Sequence, residues 1–121
     1  MDFELSEEQR AYVASAREFA RSEFRPHAAQ WDQAAIFPKD ALKAAGGLGF
    51  MGMIVPEAAG GLGMTRLDAS LIVEEWARGC TTTAAFLTIH NMATSMVAAI
   101  LEPPWMLTLA PWCSVFHQST E

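Results

Sequence analysis

The sequence has only two cysteines, Cys80 and Cys113, and they do not form a CxxC pair. Two such cysteines are too few for a disulfide framework, which is typical of small secreted proteins. The amino terminus, Met-Asp-Phe-Glu, also lacks the basic and apolar segments of a secretory signal and the arginine-rich pattern of a mitochondrial transit peptide. The sequence therefore predicts a reducing, cytoplasmic location.

Positive charge is scarce as well. Eight lysines and arginines stand against fourteen aspartates and glutamates, which gives a formal net charge of -6. Nucleic acids and anionic membrane surfaces are bound through an excess of lysine and arginine, so we expect neither as a partner. The three histidines and two cysteines lack the close spacing of a zinc site, and no metal site is predicted.

Formal charge is absent from residues 79–101, where only His90 can acquire one. Apolar residues recur there at the three-to-four spacing of one helical face: Ala85, Ile89, Met92, Met96 and Ile100. This pattern predicts a helix buried in the middle of a bundle. The stretch is long enough to cross a bilayer, but its threonines, Asn91 and Ser95 oppose insertion, and no membrane span is predicted.

Local signals divide the preceding residues into further helices. Ser6 with Gln9 and Thr65 with Asp68 form two capping boxes, which predict helix starts. Pro26 ends or kinks the first helix, a short helix follows over 27–35, and Pro38 suits the first position of a third. The prediction is an all-α, up-and-down bundle of about five helices over residues 1–100, followed by an irregular tail over 101–121.

Two glycine-rich segments and one carboxylate pair invite functional interpretations. Residues 46–49 and 60–63 both read Gly-Gly-Leu-Gly, but they lack the lysine of a P-loop and do not fit GxGxxG, which favours helix caps and turns. Glu74 and Glu75 point about 100° apart on a helix, so an ion-paired surface face with Arg78 is favoured over acid–base chemistry. His90 is interpreted as a neutral, hydrogen-bonded core histidine, and no catalytic residue is predicted.

A sharper possibility lies on one side of the apolar helix. Ala84, Thr88 and Met92 fall at i, i+4 and i+8, and so form a strip of small, polar and flexible side chains. Such a strip can line a ligand cavity, or it can let a neighbouring helix pack closely. The spacing alone leaves both interpretations open.

Several motifs follow one another along the chain: Leu5-Ser6-Glu7-Glu8-Gln9, Gly47-Leu48-Gly49-Phe50, Val55-Pro56-Glu57 before Gly60-Gly61-Leu62-Gly63, Glu74-Glu75-Trp76-Ala77-Arg78-Gly79-Cys80, and Ile89-His90-Asn91. In this order and spacing they resemble the amino-terminal helical domain of acyl-CoA dehydrogenases over about residues 3–100. Trp31-Asp32 and Thr88-Ile89-His90-Asn91 are similar to the short branched-chain subgroup that includes isobutyryl-CoA dehydrogenase.

The resemblance implies a three-domain, FAD-dependent homotetramer of fatty acid or branched-chain amino acid catabolism. Such an enzyme removes two hydrogens from an acyl-CoA, using a glutamate base and the flavin, and passes electrons to electron-transfer flavoprotein. In the family the last helix of this domain walls the acyl cavity. Alignment through Gly79-Cys80-Thr81 carries that role to Ala84, Ala85, Thr88 and Met92; no cofactor-binding residue is assigned.

The resemblance ends after Ile100. The family continues with a further helical segment, a β-domain with a Thr-Glu-Pro-Gly-x-Gly-Ser-Asp-type flavin-binding stretch, and a carboxyl-terminal bundle carrying the base. Residues 101–121, with Pro103-Pro104, Trp105 and Trp112, match none of these. We expect a truncated or frameshifted reading frame, and a chain that by itself neither retains FAD nor catalyses.

Two alternatives remain open at this point. One is a free-standing helical module that uses the strip of Ala84, Thr88 and Met92 to bind an acyl chain or a partner helix without catalysis. The other is the same domain of a flavin-dependent relative, such as an acyl-CoA oxidase or a flavin monooxygenase.

Overall fold

The computed structural model describes residues 4–100, which form five α-helices and connecting turns without a strand. The helices are α1 (Glu7–Phe19), α2 (Ala28–Gln33), α3 (Lys39–Gly47), α4 (Arg66–Gly79) and α5 (Thr81–Ile100). A π-helical turn, Ala20–Phe24, extends α1, and 3-10 turns cover Phe50–Gly52 and Glu57–Ala59. The predicted all-α bundle of about five helices is confirmed. The predicted tail, 101–121, lies outside the described residues, so the division at residue 100 stays a prediction.

Both predicted capping boxes are present. The Ser6 hydroxyl accepts from the Gln9 amide at 3.1 Å, and the Thr65 hydroxyl accepts from the Asp68 amide at 3.2 Å. The Gln9 side chain also donates to Asp68 Oδ1 at 2.8 Å, which joins the two caps. Hydrogen bonds from the Thr65 and Gln9 side chains lower the pKa of Asp68. The starts of α1 and α4 are therefore tied together.

Helices α1 and α4 are also in contact further along their length, where Arg17 of α1 donates a hydrogen bond to Glu75 of α4. The two helices consequently run side by side in the same direction, and α2, α3 and the turns return the chain between them. Aromatic rings fill the space around the fully buried Trp76: Phe50, Phe24 and Phe19 lie with ring centroids 4.8, 6.2 and 6.5 Å away. Such edge-to-face aromatic contacts stabilise a core beyond their buried area.

The orientation of α5 differs from the prediction. The stripe expected to be buried is exposed: Ala85, Ile89, Met92, Met96 and Ile100 all face outward, with Ile89 61% and Ile100 78% accessible. Nearly the opposite face is buried instead, by Thr83, Ala84, Leu87, Asn91 and Ala98. The prediction was wrong because it used apolarity alone, whereas Asn91 supplies hydrogen bonds that the 50–53 turn requires.

Candidate functional site

An open groove of about 630 Å³ lies between α4 and α5. Most of its wall surface is apolar, although six of its thirteen lining residues are polar or charged: Met53, Ile54, Ala69, Val73, Ala77, Met92 and Met96 with Ser70, Thr88, Asn91, Ser95, Arg66 and Glu74. A volume of this size and a mainly apolar wall surface are usual for small-molecule sites.

The four predicted cavity residues occupy three different environments. Thr88 and Met92 line the groove. Ala84 is only 2% exposed and belongs to the hydrophobic core, while Ala85 is exposed outside the groove. At about 100° per residue the four positions fall within one arc of about 100° on α5, with Ala84 at its core-facing edge and Ala85 at its outer edge, so only Thr88 and Met92 between them line the groove. Their contact with substrate stays a prediction.

Asn91 holds the floor of the groove in place. Its side-chain oxygen accepts from the Met53 amide at 2.8 Å, and its nitrogen donates to the carbonyls of Phe50 and Leu87 at 2.9 Å each. These bonds position Met53 and the adjoining Ile54, both of which line the groove. Reasoning from the sequence did not assign Asn91 a role, although a lone amide within an apolar helix is a signal that it has fixed partners.

The hydroxyl groups of the α5 wall are satisfied by their own helix. Thr88 donates to the Ala84 carbonyl at 2.9 Å, and Ser95 donates to the Met92 carbonyl at 2.8 Å. Each hydroxyl has used its single proton, so the wall offers methyl, thioether and acceptor groups rather than free donors. The wall therefore suits an apolar group better than an anion.

Glu74 and Glu75 differ sharply in environment. The predicted surface ion pair is correct for Glu74, which bonds Arg78 at 2.7 Å with both side chains 60% exposed. The predicted ion pair of Glu75 with Arg78 is also present, at 2.8 Å, but its surface position is wrong: Glu75 is 6% exposed and also accepts from Arg17 at 2.9 and 3.0 Å. Hydrogen bonds from Arg17 lower the pKa of Glu75. The Arg17 side chain stays 52% exposed while it makes these bonds, and helical spacing carries no signal for its partner 58 residues away.

His90 lies outside the groove lining and stacks on Phe86, with ring centroids 6.3 Å apart. Burial lowers the pKa of His90, which favours the predicted neutral form. The predicted hydrogen bond is missing at Nε2, which is buried and has no partner within the described part of the chain. A core position, rather than an acid–base role, accounts for these features.

The glycine-rich segments form caps and turns, as predicted. Gly49 follows α3 with φ of +82°, and Gly60 and Gly63 also have positive φ. A Cβ at Gly61 would lie 2.2 Å from the Val55 carbonyl oxygen, so this glycine is needed for packing within the chain. Within residues 4–100, no group of three or more histidine, cysteine, aspartate or glutamate side chains is placed to hold a metal ion.

By length and composition alone, α5 could cross a membrane. The central helix of a water-soluble domain satisfies the same criteria. Its buried face packs on α4 and the 50–53 turn, and Asn91 makes all of its described hydrogen bonds within the bundle. One face of α5 therefore belongs to the core of the bundle.

Over the described residues, five helices with a mainly apolar groove between the last two define an all-α domain. The sequence profile of the acyl-CoA dehydrogenase N-terminal domain matches residues 6–102, and the chain belongs to this family. It is 49% identical over 88 residues to isobutyryl-CoA dehydrogenase, mitochondrial, from Bos taurus, which covers 73% of this chain and 21% of the relative.

Two further relatives extend this comparison. The chain is 41% identical over 93 residues to isobutyryl-CoA dehydrogenase, mitochondrial, from Dictyostelium discoideum, covering 77% of this chain and 22% of the relative. It is 36% identical over 108 residues to 3-sulfinopropanoyl-CoA desulfinase from Variovorax paradoxus, covering 89% and 27%. The chain thus spans about a fifth to a quarter of the length of the relatives it matches.

Proposed function

We propose that the chain is the amino-terminal domain of an FAD-dependent acyl-CoA dehydrogenase for a short branched acyl-CoA, and that the α4–α5 groove forms one wall of its acyl cavity. The observation that carries the proposal is the position of Thr88 and Met92 on a mainly apolar groove. The two relatives named as isobutyryl-CoA dehydrogenases support a short branched substrate.

The groove wall has the properties that a small acyl group needs. Met92 and Met96 have flexible, polarizable side chains that adapt to a branched hydrocarbon, and Val73 faces them from α4. Ala85 lies on the exposed side of the same helix, where it reaches an acyl group once another domain covers that side. Ala84 contributes indirectly, because its small side chain lets α5 pack tightly into the core.

Catalysis requires groups that residues 4–100 do not supply in this proposal. FAD and the glutamate base are assigned to the other domains of the enzyme, and electron-transfer flavoprotein and the homotetramer are proposed from the family. A cytoplasmic location also stays a prediction. We expect the purified 121-residue chain to show no flavin absorbance and no turnover. A stoichiometric flavin absorbance band in the purified chain would contradict this assignment of the cofactor.

A second chemistry on the same domain is favoured by one observation. The relative from Variovorax paradoxus is named a desulfinase rather than a dehydrogenase, and it matches 89% of this chain. Residues 4–100 thus suit an acyl-CoA site whose reaction is decided by groups elsewhere. Within this family, the amino-terminal domain would select the acyl group and leave the reaction type to the remaining domains.

A domain exchange tests the proposal. Residues 6–100 replace the matching segment of the bovine isobutyryl-CoA dehydrogenase, and flavin content and kcat/KM are measured with isobutyryl-CoA and with a long straight-chain acyl-CoA. We expect a flavin-loaded enzyme that prefers isobutyryl-CoA. A flavin-loaded enzyme that has lost this preference would contradict the substrate assignment.

A further inference from the structure

A second cavity, of about 230 Å³, lies on the other side of α4, between the end of that helix and the π-helical turn. Four of the seven residues lining it are arginines: Arg17, Arg21, Arg25 and Arg78, with Glu75, Ala20 and Gly79. We propose that this arginine pocket binds a small polyvalent anion bearing two adjacent phosphoryl groups.

The charge of the pocket is not balanced from within. Glu75 is its single carboxylate, and it is already bonded by Arg17 and Arg78. The side chains of Arg21 and Arg25 are exposed and have no described hydrogen bond or ion pair with any residue in the range 4–100. Arg78 also bonds Glu74, which lies outside the lining, at 2.7 Å, so the four arginines and these two glutamates leave a formal excess of two positive charges in a chain whose net charge is -6. Such a local excess attracts a multiply charged anion.

Backbone geometry brings these arginines to one place. Arg21 and Arg25 bracket most of a π-helical turn, in which the Arg25 amide bonds the Ala20 carbonyl five residues earlier at 2.9 Å. Single π-helical turns are rare and occur frequently at functional sites. The widened turn keeps residues four apart nearly aligned, so both side chains leave the same side of the helix.

The end of α4 lies very close to the π-helical turn, and these two elements form the walls of the pocket. A Cβ added at Gly79 would lie 2.9 Å from the Ala20 carbonyl oxygen, so a glycine is needed where the two backbones meet. This contact closes the floor of the pocket and brings Arg78 beside the arginines of the first helix. A closed floor and a volume of about 230 Å³ suit a small anion better than an acidic polypeptide.

The type of anion follows from the guanidinium groups. Arginine offers planar pairs of N–H donors that match phosphate oxygens two at a time, and charge-assisted bonds of this kind are stronger than neutral ones. The side chains of Arg21 and Arg25 have no described partner, and these two charges call for more than one negative charge on the ligand. A diphosphoryl group supplies that charge within the available space.

Titration of the full 121-residue chain with inorganic pyrophosphate, followed by calorimetry, tests the proposal. We expect saturable binding at one site, weakened about tenfold or more in the double variant Arg21→Gln/Arg25→Gln, which changes only exposed side chains. The matched control, Arg10→Gln/Lys39→Gln, removes the same net charge outside the pocket and should bind as the unchanged chain does. Circular dichroism checks that both variants stay helical.

A competition experiment distinguishes a nucleotide diphosphate from a free anion as the ligand of the pocket. Displacement of pyrophosphate by coenzyme A would assign the site to the diphosphate of a nucleotide, and failure to displace would assign it to a free anion; either result supports the pocket. Absence of saturable pyrophosphate binding would overturn the proposal. An equal loss of binding in the double variant and in the control would also overturn it, because net charge alone would then explain the binding.

Discussion

The two sides of α5 are both rich in apolar residues, yet only one of them is buried. Leu87, Ala98 and Asn91 face the core, whereas Ile89 and Ile100 face outward from the described bundle. The difference is made by a single amide, because Asn91 satisfies two backbone groups of the 50–53 turn. An apolar stripe thus indicates that a surface needs a partner, and it does not indicate which partner the surface receives.

The largest expected effect comes from shortening one leucine on the buried side. Leu87→Ala should reduce the free energy of unfolding by about 2–5 kcal/mol, because it leaves a cavity in a fully buried position. Ile89→Ala, two residues away on the outer side, should change it by about 0.5 kcal/mol or less. Urea unfolding of the two variants measures both values, and equal destabilisation would show that the two sides are not distinct.

Removal of the Asn91 amide should have the next largest effect. Asn91→Ala leaves the Met53 amide and the Phe50 carbonyl without their described partner, at an expected cost of about 2–3 kcal/mol. Ser95→Ala is the control, since it removes only an exposed bond to a carbonyl of the same helix. The rate of hydrogen exchange at the Met53 amide should rise in Asn91→Ala and not in Ser95→Ala. An unchanged rate in Asn91→Ala would contradict the claim that the Asn91 side chain holds α5 against the 50–53 turn.

The Glu75 ion pairs should give a smaller, pH-dependent effect. Because the folded-state pKa of Glu75 lies below its ordinary value of 4.5, its stabilisation is present above that pH and is lost as the pH falls through the folded-state pKa. Glu75→Gln should therefore lower stability by about 1–2 kcal/mol near pH 7 and flatten the acid side of the stability profile. Glu74→Gln, which removes an exposed pair, should leave the profile nearly unchanged. Identical acid slopes for the unchanged chain and Glu75→Gln would contradict this account.

The smallest effect on stability should come from the outer side of α5. Ile89→Gln with Met96→Gln should change the free energy of unfolding by about 0.5 kcal/mol or less, because both side chains are more than half exposed. The same pair should reduce self-association of the isolated chain, since exposed apolar patches promote contact between copies. Sedimentation at several protein concentrations measures the self-association. A large loss in the free energy of unfolding would instead place these residues in the core.

Local features of the fold were predictable because their causes lie within a few residues. Ser6 with Gln9 and Thr65 with Asp68 fixed helix starts through contacts three residues apart. The direction that α5 faces and the burial of Glu75 were not predictable, since they depend on contacts 38 to 58 residues distant. The same limit applies to the site: helical spacing indicated Thr88 and Met92, whereas the α4 wall with Val73 and Ala77 became evident only from packing.

The most direct test of the central claim is a steric block in the groove. In the bovine enzyme carrying residues 6–100 of this chain, Met92→Trp should lower kcat/KM for isobutyryl-CoA at least about tenfold with flavin content unchanged, because the indole fills space proposed for the acyl group. Ser15→Trp adds the same bulk at an exposed position on α1 and should leave kcat/KM unchanged. An unchanged kcat/KM in Met92→Trp would contradict the assignment of this groove as an acyl-cavity wall.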